Sequence, residues 1–276
     1  MTEAFQHSGY QLLRCLECSH LWAPGASAGD ANYDALYYNS AAHPNEDQTG
    51  YSDYLANLDR RVKGFRSRVD QIEMLMGRRG RLLDYGCAVG ACVKAARDAG
   101  WDAVGYERST WAAEYGRKML GVDIVIGATS DETIFPRQSF DVVTLWDVIE
   151  HVDRPREVLA FAARVLKPGG LIAMNTVNAS SLGARMAGAR WRHLAPPYHL
   201  QYFTRASLRR LIADAGFDIA RSDVNGVMFE SANRPGPMPR PLTVVESIIT
   251  HWRMRPLARA LNLLDEIELM AVLRKH

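Results

Sequence analysis

The stretch Leu82-Leu83-Asp84-Tyr85-Gly86-Cys87-Ala88-Val89-Gly90 decides how the chain is read. A short apolar run delivers a carboxylate, Gly86 and Gly90 turn the backbone, and a helix-period segment follows over 91–99 and stops at Gly100. Glycines at such a turn let the main chain approach a ligand, and the helix beyond presents unpaired N–H groups to it. A dinucleotide site carries Gly-x-Gly-x-x-Gly to seat a pyrophosphate. Here Ala88 and Ala91 stand where that pattern has glycine, and Asp84 precedes the first glycine. A carboxylate there repels a pyrophosphate and suits a ligand bearing an ammonium and a sulfonium. Gly105-Tyr106-Glu107 sets a second acid at the end of the next strand, where doubly wound folds grip a ribose diol. The bland alternative is a strand-to-helix turn capped by an aspartate, and two acids in register weigh against it.

Outward from this turn, short strands alternate with helix-length segments. Residues 102–106, 122–126, 140–145 and 171–175 read as strands, and 110–120 and 155–166 as helices. Pro155 opens the second helix in its first turn, and Lys167-Pro168-Gly169-Gly170 breaks it. A helix over 205–215, capped by Thr204 and stopped by Gly216, leads to a strand at 217–224, and 267–273 is a last apolar run. The alternation predicts βαβ units and an α/β fold with helices on both faces of a mostly parallel sheet. The stretch Arg234-Pro235-Gly236-Pro237-Met238-Pro239-Arg240-Pro241 cannot form a regular helix. Beyond it, 242–264 has helical spacing with a break at Pro256.

The 276 residues are 47% apolar and 23% charged, an ordinary globular composition. Lys and Arg (33) nearly balance Asp and Glu (31), which disfavours a nucleic-acid partner. No apolar run is long enough to span a bilayer, and the start lacks a signal-peptide pattern, so a cytoplasmic chain without a membrane partner is expected. The four cysteines, Cys15, Cys18, Cys87 and Cys92, do not make a disulfide framework in a chain of this length.

The segments 82–90, 105–109, 140–152 and 165–170, with Tyr198-His199-Leu200-Gln201-Tyr202-Phe203 and Gly216-Phe217, are similar to class I S-adenosylmethionine-dependent methyltransferases. Within that family they most resemble the branch containing ubiquinone-biosynthesis O-methyltransferases and many small-molecule and sugar methyltransferases. The resemblance covers nearly the whole chain and implies a doubly wound, Rossmann-like, seven-stranded sheet whose last strand, 267–273, runs antiparallel. It implies an N-terminal cap over 1–50 and a core over 51–227 with a substrate loop at 176–204. A helical insertion over 228–265 and a closing strand over 266–276 complete it. S-adenosylmethionine is the implied cofactor. Asp84, Gly86 and Gly90, with Tyr85 and Cys87 between them, would line its methionine end. Glu107 would hold the ribose, Arg108 would lie near the adenine, and Trp146 and Asp147 would close around the methyl donor. Tyr51 and Tyr54 would fold over the cofactor, where an aromatic face attracts a sulfonium, or pack a cap onto the sheet. Ala88 departs from the family's usual glycine, and the adenine contact in the loop 127–133 falls to either Ala128 or Thr129.

Methyl transfer is an in-line displacement, so the protein chiefly aligns the reactants and excludes water. Asp147, His151 and His199 are the candidate catalytic residues, His151 as general base; the alternative is a His151 satisfied by backbone. If 147–151 is helical, Asp147 and His151 share a face at i, i+4, with Glu150 beside them. Together with His199 these resemble the acid-x-x-Glu-His plus His metal site of some methyltransferases. Asp147, Glu150, His151 and His199 are therefore candidate ligands for a divalent ion, Mg²⁺ or Zn²⁺, with a metal-free site as the other reading. Cys15-Leu16-Glu17-Cys18 reads as half of a zinc knuckle, for which His7 and His20 are poorly spaced substitutes.

On the acceptor side, Arg185, Arg190, Trp191, Arg192, His193 and Tyr198 read as a substrate wall or lid, its arginines suited to an anion or simply solvated. The stripe Val245, Ile248, Ile249 and Trp252 packs on the domain, forms a homodimer contact or covers a substrate. The expected function is methylation of a small molecule, foremost at oxygen of a sugar, quinone-type or secondary-metabolite acceptor. Methylation at nitrogen or carbon, a macromolecular acceptor and a non-catalytic scaffold are the alternatives.

Overall fold

The computed structural model describes residues 2–27, 33, 35–38, 54–127, 133–225, 262 and 264–275. Three short strands come first, β1 (Thr2–His7), β2 (Tyr10–Arg14) and β3 (Leu21–Trp22), then α1 (Ala35–Tyr38) and the long α2 (Leu58–Met76). The alternating core follows as β4 (Arg81–Tyr85), α3 (Ala91–Asp98), β5 (Asp102–Glu107), α4 (Thr110–Leu120), β6 (Ile124–Ile126), β7 (Phe140–Trp146), α5 (Pro155–Val165) and β8 (Leu166–Val177). It closes with α6 (Leu182–Ala187), β9 (Gln201–Tyr202), α7 (Arg205–Asp214), β10 (Phe217–Asn225) and β11 (Glu266–Leu273).

Seven strands form one sheet in the order β10-β11-β8-β7-β4-β5-β6. Pairings from β8 to β6 are parallel, and β11 runs antiparallel to both β8 and β10, as the family resemblance implied. The central strand β7 is buried at every position, because helices cover both faces of a doubly wound sheet. One face packs Leu83, Val143, Leu145 and Met174 against α5 and α7; the other packs Leu82, Val142 and Ala173 against α2 and α3. Local sequence sets the helix starts. Ser109 accepts from Ala112 N–H at the start of α4, Pro155 opens α5, and Thr204 with Ser207 forms a capping box on α7.

Two strand starts differ from the sequence expectation by more than one residue. β8 starts at Leu166 rather than Leu171, because the Lys167–Gly170 breaker forms a bulge in the ladder instead of a loop outside it: Phe140 pairs with Leu166, then Val142 with Leu171. β6 starts at Ile124, two residues later than expected.

The N-terminal segment builds a sheet of its own, β1-β2-β3-β9, whose last strand comes from the far side of the core sequence. Beneath it Leu12, Leu21, Trp191, Leu194 and Tyr202 form a small apolar core. Trp191 therefore packs inside rather than lining an open substrate wall. Arg192 is likewise committed, donating through Nε and Nη2 to the buried carboxylate of Asp265. Most of the insertion 228–265, including the stripe around Trp252, lies outside the described residues, as do Tyr51, Ala128 and Thr129. Where the chain returns, Asn178 N–H donates to Asp265 O, and Asn178 Nδ2 donates to Leu264 O. No helix among the described residues is long and apolar enough to cross a membrane.

Candidate active site

The carboxyl ends of β4, β5 and β7 open on a cavity of about 380 Å³, lined by Asp84, Tyr85, Gly86, Cys87, Glu107, Arg108, Trp146, Asp147 and His151. That is the edge at which open α/β sheets bind ligands. The turn after β4 is set by three left-handed residues, Gly86 (φ +70°), Ala88 (φ +51°) and Gly90 (φ +81°). A Cβ on Gly86 would come within 2.7 Å of Val148 Cγ2, and one on Gly90 within 2.8 Å of Val122 Cγ2, so neither position admits a side chain without displacement.

Both acids stand in register at the sheet edge. Asp84, buried, accepts from the Thr144 hydroxyl at 2.6 Å; burial pushes its carboxyl up to about 7, the hydroxyl opposing and Glu107 adding to the rise. Glu107 accepts from Ala88 N–H at 2.8 Å and from Ser109 N–H at 2.7 Å, which fixes its carboxylate across the glycine turn. Burial raises its carboxyl, and those N–H groups hold part of the rise back. Tyr85 packs its ring against Tyr106 and Phe161. Cys87 is buried against Gly105, where a Cβ would fall 2.4 Å from its Sγ, and burial raises its thiol. Trp146 donates its indole N–H to Cys92 Sγ at 3.2 Å, so one edge is anchored in the layer under the sheet while the residue lines the cavity.

A tyrosine strap lies across the opening. Tyr33, Tyr37, Tyr38 and Tyr54 all line the cavity. Tyr33 O accepts from the Ser109 hydroxyl at 2.6 Å, Tyr38 stacks on Trp111, and the Arg61 guanidinium sits 4.0 Å from the Tyr54 ring. Tyr33, Tyr37 and Tyr38 stand close together in the sequence, but nothing local says where they dock.

The segment 147–151 is not helical, which corrects the premise that Asp147 and His151 share a helix face. β7 runs straight into a reversal, with Asp147 left-handed at φ +53° and His151 N–H closing a turn on Val148 O. Asn175 holds the reversal reciprocally, its Oδ1 accepting from Asp147 N–H at 2.8 Å and its Nδ2 donating to Asp147 Oδ1 at 2.7 Å. Asp147 thus stays exposed at the cavity and outside the cluster of ligand atoms. That cluster comprises Glu150, His151 and His199, whose ligand atoms lie within 4.8 Å of one another.

Backbone carbonyls orient both imidazoles. His151 Nδ1 lies 2.8 Å from Tyr198 O, and His199 Nδ1 lies 2.8 Å from His193 O. A carbonyl only accepts, so each Nδ1 carries the proton and each Nε2 keeps its lone pair. The rings meet edge-on at 4.7 Å. Burial lowers both imidazoles, His199 further because His151 and His193 adjoin it, and both are neutral at pH 7. Glu150 is buried, accepts from the Thr176 hydroxyl at 2.9 Å, and is raised well above its usual range by burial and by Asp147. Its own carbonyl takes the N–H groups of Leu200 and Gln201, which docks the loop carrying His199. Thr144, Asn175 and Thr176 were missed in the sequence because a polar residue at a strand end looks the same whether it faces solvent or a site.

Residues 54–222 match the family model described as a methyltransferase domain. The chain belongs to this family. A ubiquinone biosynthesis O-methyltransferase of Methylococcus capsulatus is 33% identical over 157 residues, 53% of this chain and 65% of that protein. One of the same name from Cereibacter sphaeroides is 33% identical over 159 residues, 54% and 64% of the two chains. The chain thus spans just under two thirds of the length of these curated relatives. Among solved structures, a SAM-dependent methyltransferase of Archaeoglobus fulgidus has a TM-score of 0.56 at 16% identity, covering 79% of this chain and 98% of that one. At that identity the likeness speaks for the fold.

The methyltransferase family's cofactor is S-adenosylmethionine, and the pocket fits it. Asp84 and Glu107 offer two buried carboxyl groups at the cavity, acceptors of the kind that an ammonium and a ribose diol would need, and the glycine turn leaves room against its backbone. Gly127 also lines the cavity, and a Cβ there would come 2.6 Å from Ile134 Cδ1 and 2.7 Å from Tyr106 Cε2, so this position too admits no side chain without displacement. The Glu150, His151 and His199 set also fits a divalent cation in chemical type. It offers two neutral imidazoles with free Nε2 lone pairs and a buried carboxyl, which a cation would bring to its charged form.

Proposed function

We propose that this methyltransferase-family protein moves the methyl group of S-adenosylmethionine to an oxygen of a small, planar hydroxylated acceptor. The observation that carries the reading is the orientation of His151, which lines the cofactor cavity with its Nδ1 engaged by a carbonyl and its Nε2 left free. The acceptor hydroxyl gives its proton to His151 Nε2 as its oxygen attacks the methyl carbon. The carbon–sulfur bond breaks, its electron pair stays on sulfur, and S-adenosylhomocysteine leaves. The Tyr33 ring lies 6.2 Å from the His151 ring and 6.0 Å from that of Tyr198, and the two tyrosines form an aromatic wall suited to a flat ring. The curated relatives are named for O-methylation in ubiquinone biosynthesis, which supports an oxygen on a quinone-type acceptor over a sugar.

A second reading keeps the same reaction and adds a metal, favoured by the convergence of three ligand atoms. Glu150, His151 and His199 would hold a divalent cation, which when bound supplies Lewis acidity toward an acceptor oxygen. Calorimetry with S-adenosylmethionine and a turnover screen over catechols, phenols and sugars, each with EDTA or added Mg²⁺ or Zn²⁺, tests both. His151→Ala should bind cofactor normally and lose at least about a hundredfold in turnover, the scale of general base catalysis. Absence of cofactor binding in the folded wild type refutes the reading. EDTA-insensitive turnover removes the metal and leaves His151 as base.

A further inference from the structure

Tyr33 stands between the loop that follows β5 and the imidazole of His151, and it is tied to both. At its backbone, Tyr33 O accepts from the Ser109 hydroxyl at 2.6 Å, while Ser109 N–H donates to Glu107 Oε1 at 2.7 Å. At its ring, the Arg108 guanidinium lies 5.5 Å from the centroid. At its hydroxyl, Tyr33 Oη lies 3.3 Å from His151 Nδ1, the nitrogen that Tyr198 O engages at 2.8 Å. The carbonyl fixes the proton on Nδ1, so the phenol oxygen is a second acceptor for the same N–H. Ring contacts brace the arrangement: Tyr33 meets Tyr37 edge-on at 4.7 Å and Tyr198 at 6.0 Å, and Tyr37 stacks on Tyr198 at 5.3 Å.

We infer that Tyr33 is a positioning residue for His151, its hydroxyl steadying the imidazole while Ser109 holds Tyr33 in place from the loop that carries Glu107. An imidazole with one partner on Nδ1 can rock about that bond, and a second acceptor from another segment sets its tilt and so the aim of Nε2. The inference rests on the reading of His151 Nε2 as the group that meets the acceptor, and it holds whether that nitrogen takes a proton or a cation. Ser109 serves two elements at once. Its Oγ accepts from Ala112 N–H as the N-cap of α4, and its hydroxyl is the donor to Tyr33 O. One serine therefore joins Glu107, the candidate ribose ligand, to the alignment of His151. Glycine is tolerated at an N-cap but has no hydroxyl to donate, whereas threonine keeps both the cap and the donor.

The test uses the full chain labelled with ¹⁵N-histidine, its imidazole nitrogens read through their ring protons by NMR. Tyr33→Phe keeps the ring and removes only the hydroxyl. The His151 signal, assigned by its loss in His151→Gln, should shift in Tyr33→Phe and in Ser109→Gly, and return to its wild-type position in Ser109→Thr. In turnover of whichever hydroxylated acceptor the screen yields, Tyr33→Phe and Ser109→Gly should each lower kcat by about threefold to tenfold, the net worth of one hydrogen bond, with KM for S-adenosylmethionine unchanged. Because Ser109 acts through Tyr33, the double variant should lose no more than Tyr33→Phe alone. An unmoved His151 signal in Tyr33→Phe, a shift there that Ser109→Gly does not share, or additive losses in the double variant overturns the inference. So does a raised KM for S-adenosylmethionine with kcat intact, which would make Tyr33 a wall of the cofactor pocket only. The spectra need no acceptor: a shifted His151 signal in a wild type without turnover refutes the proposed reaction alone, and turnover with an unmoved signal refutes this inference alone. Where Ser109→Gly does not fold, the Tyr33→Phe spectrum decides.

Discussion

Two residues at the glycine turn carry opposite lessons about single positions. Ala88 is held at φ +51°, a conformation that costs an L-residue about 1 kcal/mol and glycine almost nothing. Its N–H bond to Glu107 belongs to the backbone and survives substitution. Ala88→Gly should therefore raise unfolding stability by up to about 0.5 kcal/mol in a denaturant titration, once the extra unfolded-state entropy of glycine is subtracted. A loss of stability would mean that the methyl group packs better than the strain costs. Asp84 is the reverse case, a residue whose environment disfavours its charged state. Its carboxyl sits at about 7 in the folded protein against about 3.9 unfolded, so the fold binds more protons there. Unliganded stability from this group falls as pH rises from about 4 to about 7, and ionised Asp84 awaits a cation. Binding of S-adenosylmethionine should tighten across pH 6 to 8 and release a proton, visible as calorimetric heats that change with buffer. Asp84→Asn should bind more weakly with a flat pH profile; an unchanged slope would place the titration elsewhere.

The reversal from β7 into α5 shows what an element needs beyond its own sequence. The strand itself was legible, since seven consecutive buried residues read as a central parallel strand wherever they occur. So were α5, from Pro155, and the Thr204 cap of α7, because their signals are local. The stretch 147–151 has helix-compatible residues and spacing, yet Asn175, 28 residues away on β8, takes both the N–H and a carboxylate oxygen of Asp147 and holds it left-handed. No window of local sequence contains that partner. Asn175→Ala should then cost about 1–2 kcal/mol, the net loss of two partly buried hydrogen bonds, and weaken cofactor binding by loosening the cavity edge. Adding Asp147→Gly to that variant should return about 1 kcal/mol, because glycine adopts φ +53° unaided. Additive losses in the double variant would show that Asn175 acts through packing alone. The same long reach explains the cluster of Glu150, His151 and His199: Glu150 and His151 come from this reversal, but His199 is docked by two N–H groups closing on Glu150 O.

At the scale of the molecule, the alternating core and its antiparallel closing strand were readable because each strand is bounded by its own turn residues. The N-terminal sheet was not, since β3 meets β9 across a gap of about 180 residues that periodicity does not bridge. Trp191 consequently reads as part of a substrate wall or lid, although it packs with Leu12 and Tyr202 beneath that sheet. What ties the opposite end of the core together is Asp141 on β7, buried below the sheet and far from the cavity end. It accepts from Arg81 N–H at 2.9 Å, Lys167 Nζ at 2.8 Å and Arg78 Nη2 at 2.6 Å, joining the start of β4 to the bulge of β8. Burial would raise its carboxyl, but the Arg81 N–H, Lys167 and Arg78 outweigh burial and hold it at about 2. The folded pKa lies below the unfolded one, so this stabilisation is complete above about pH 4 and is lost as pH falls toward 2. Because Arg78 and Lys167 are themselves largely exposed, it amounts to about 1–2 kcal/mol rather than the full Coulombic value. Asp141→Asn should lose that amount at pH 7, and its stability curve should converge with wild type below about pH 3. Curves that stay parallel down to pH 2 would show that the cost comes from a misplaced amide in the ladder and not from the carboxylate charge.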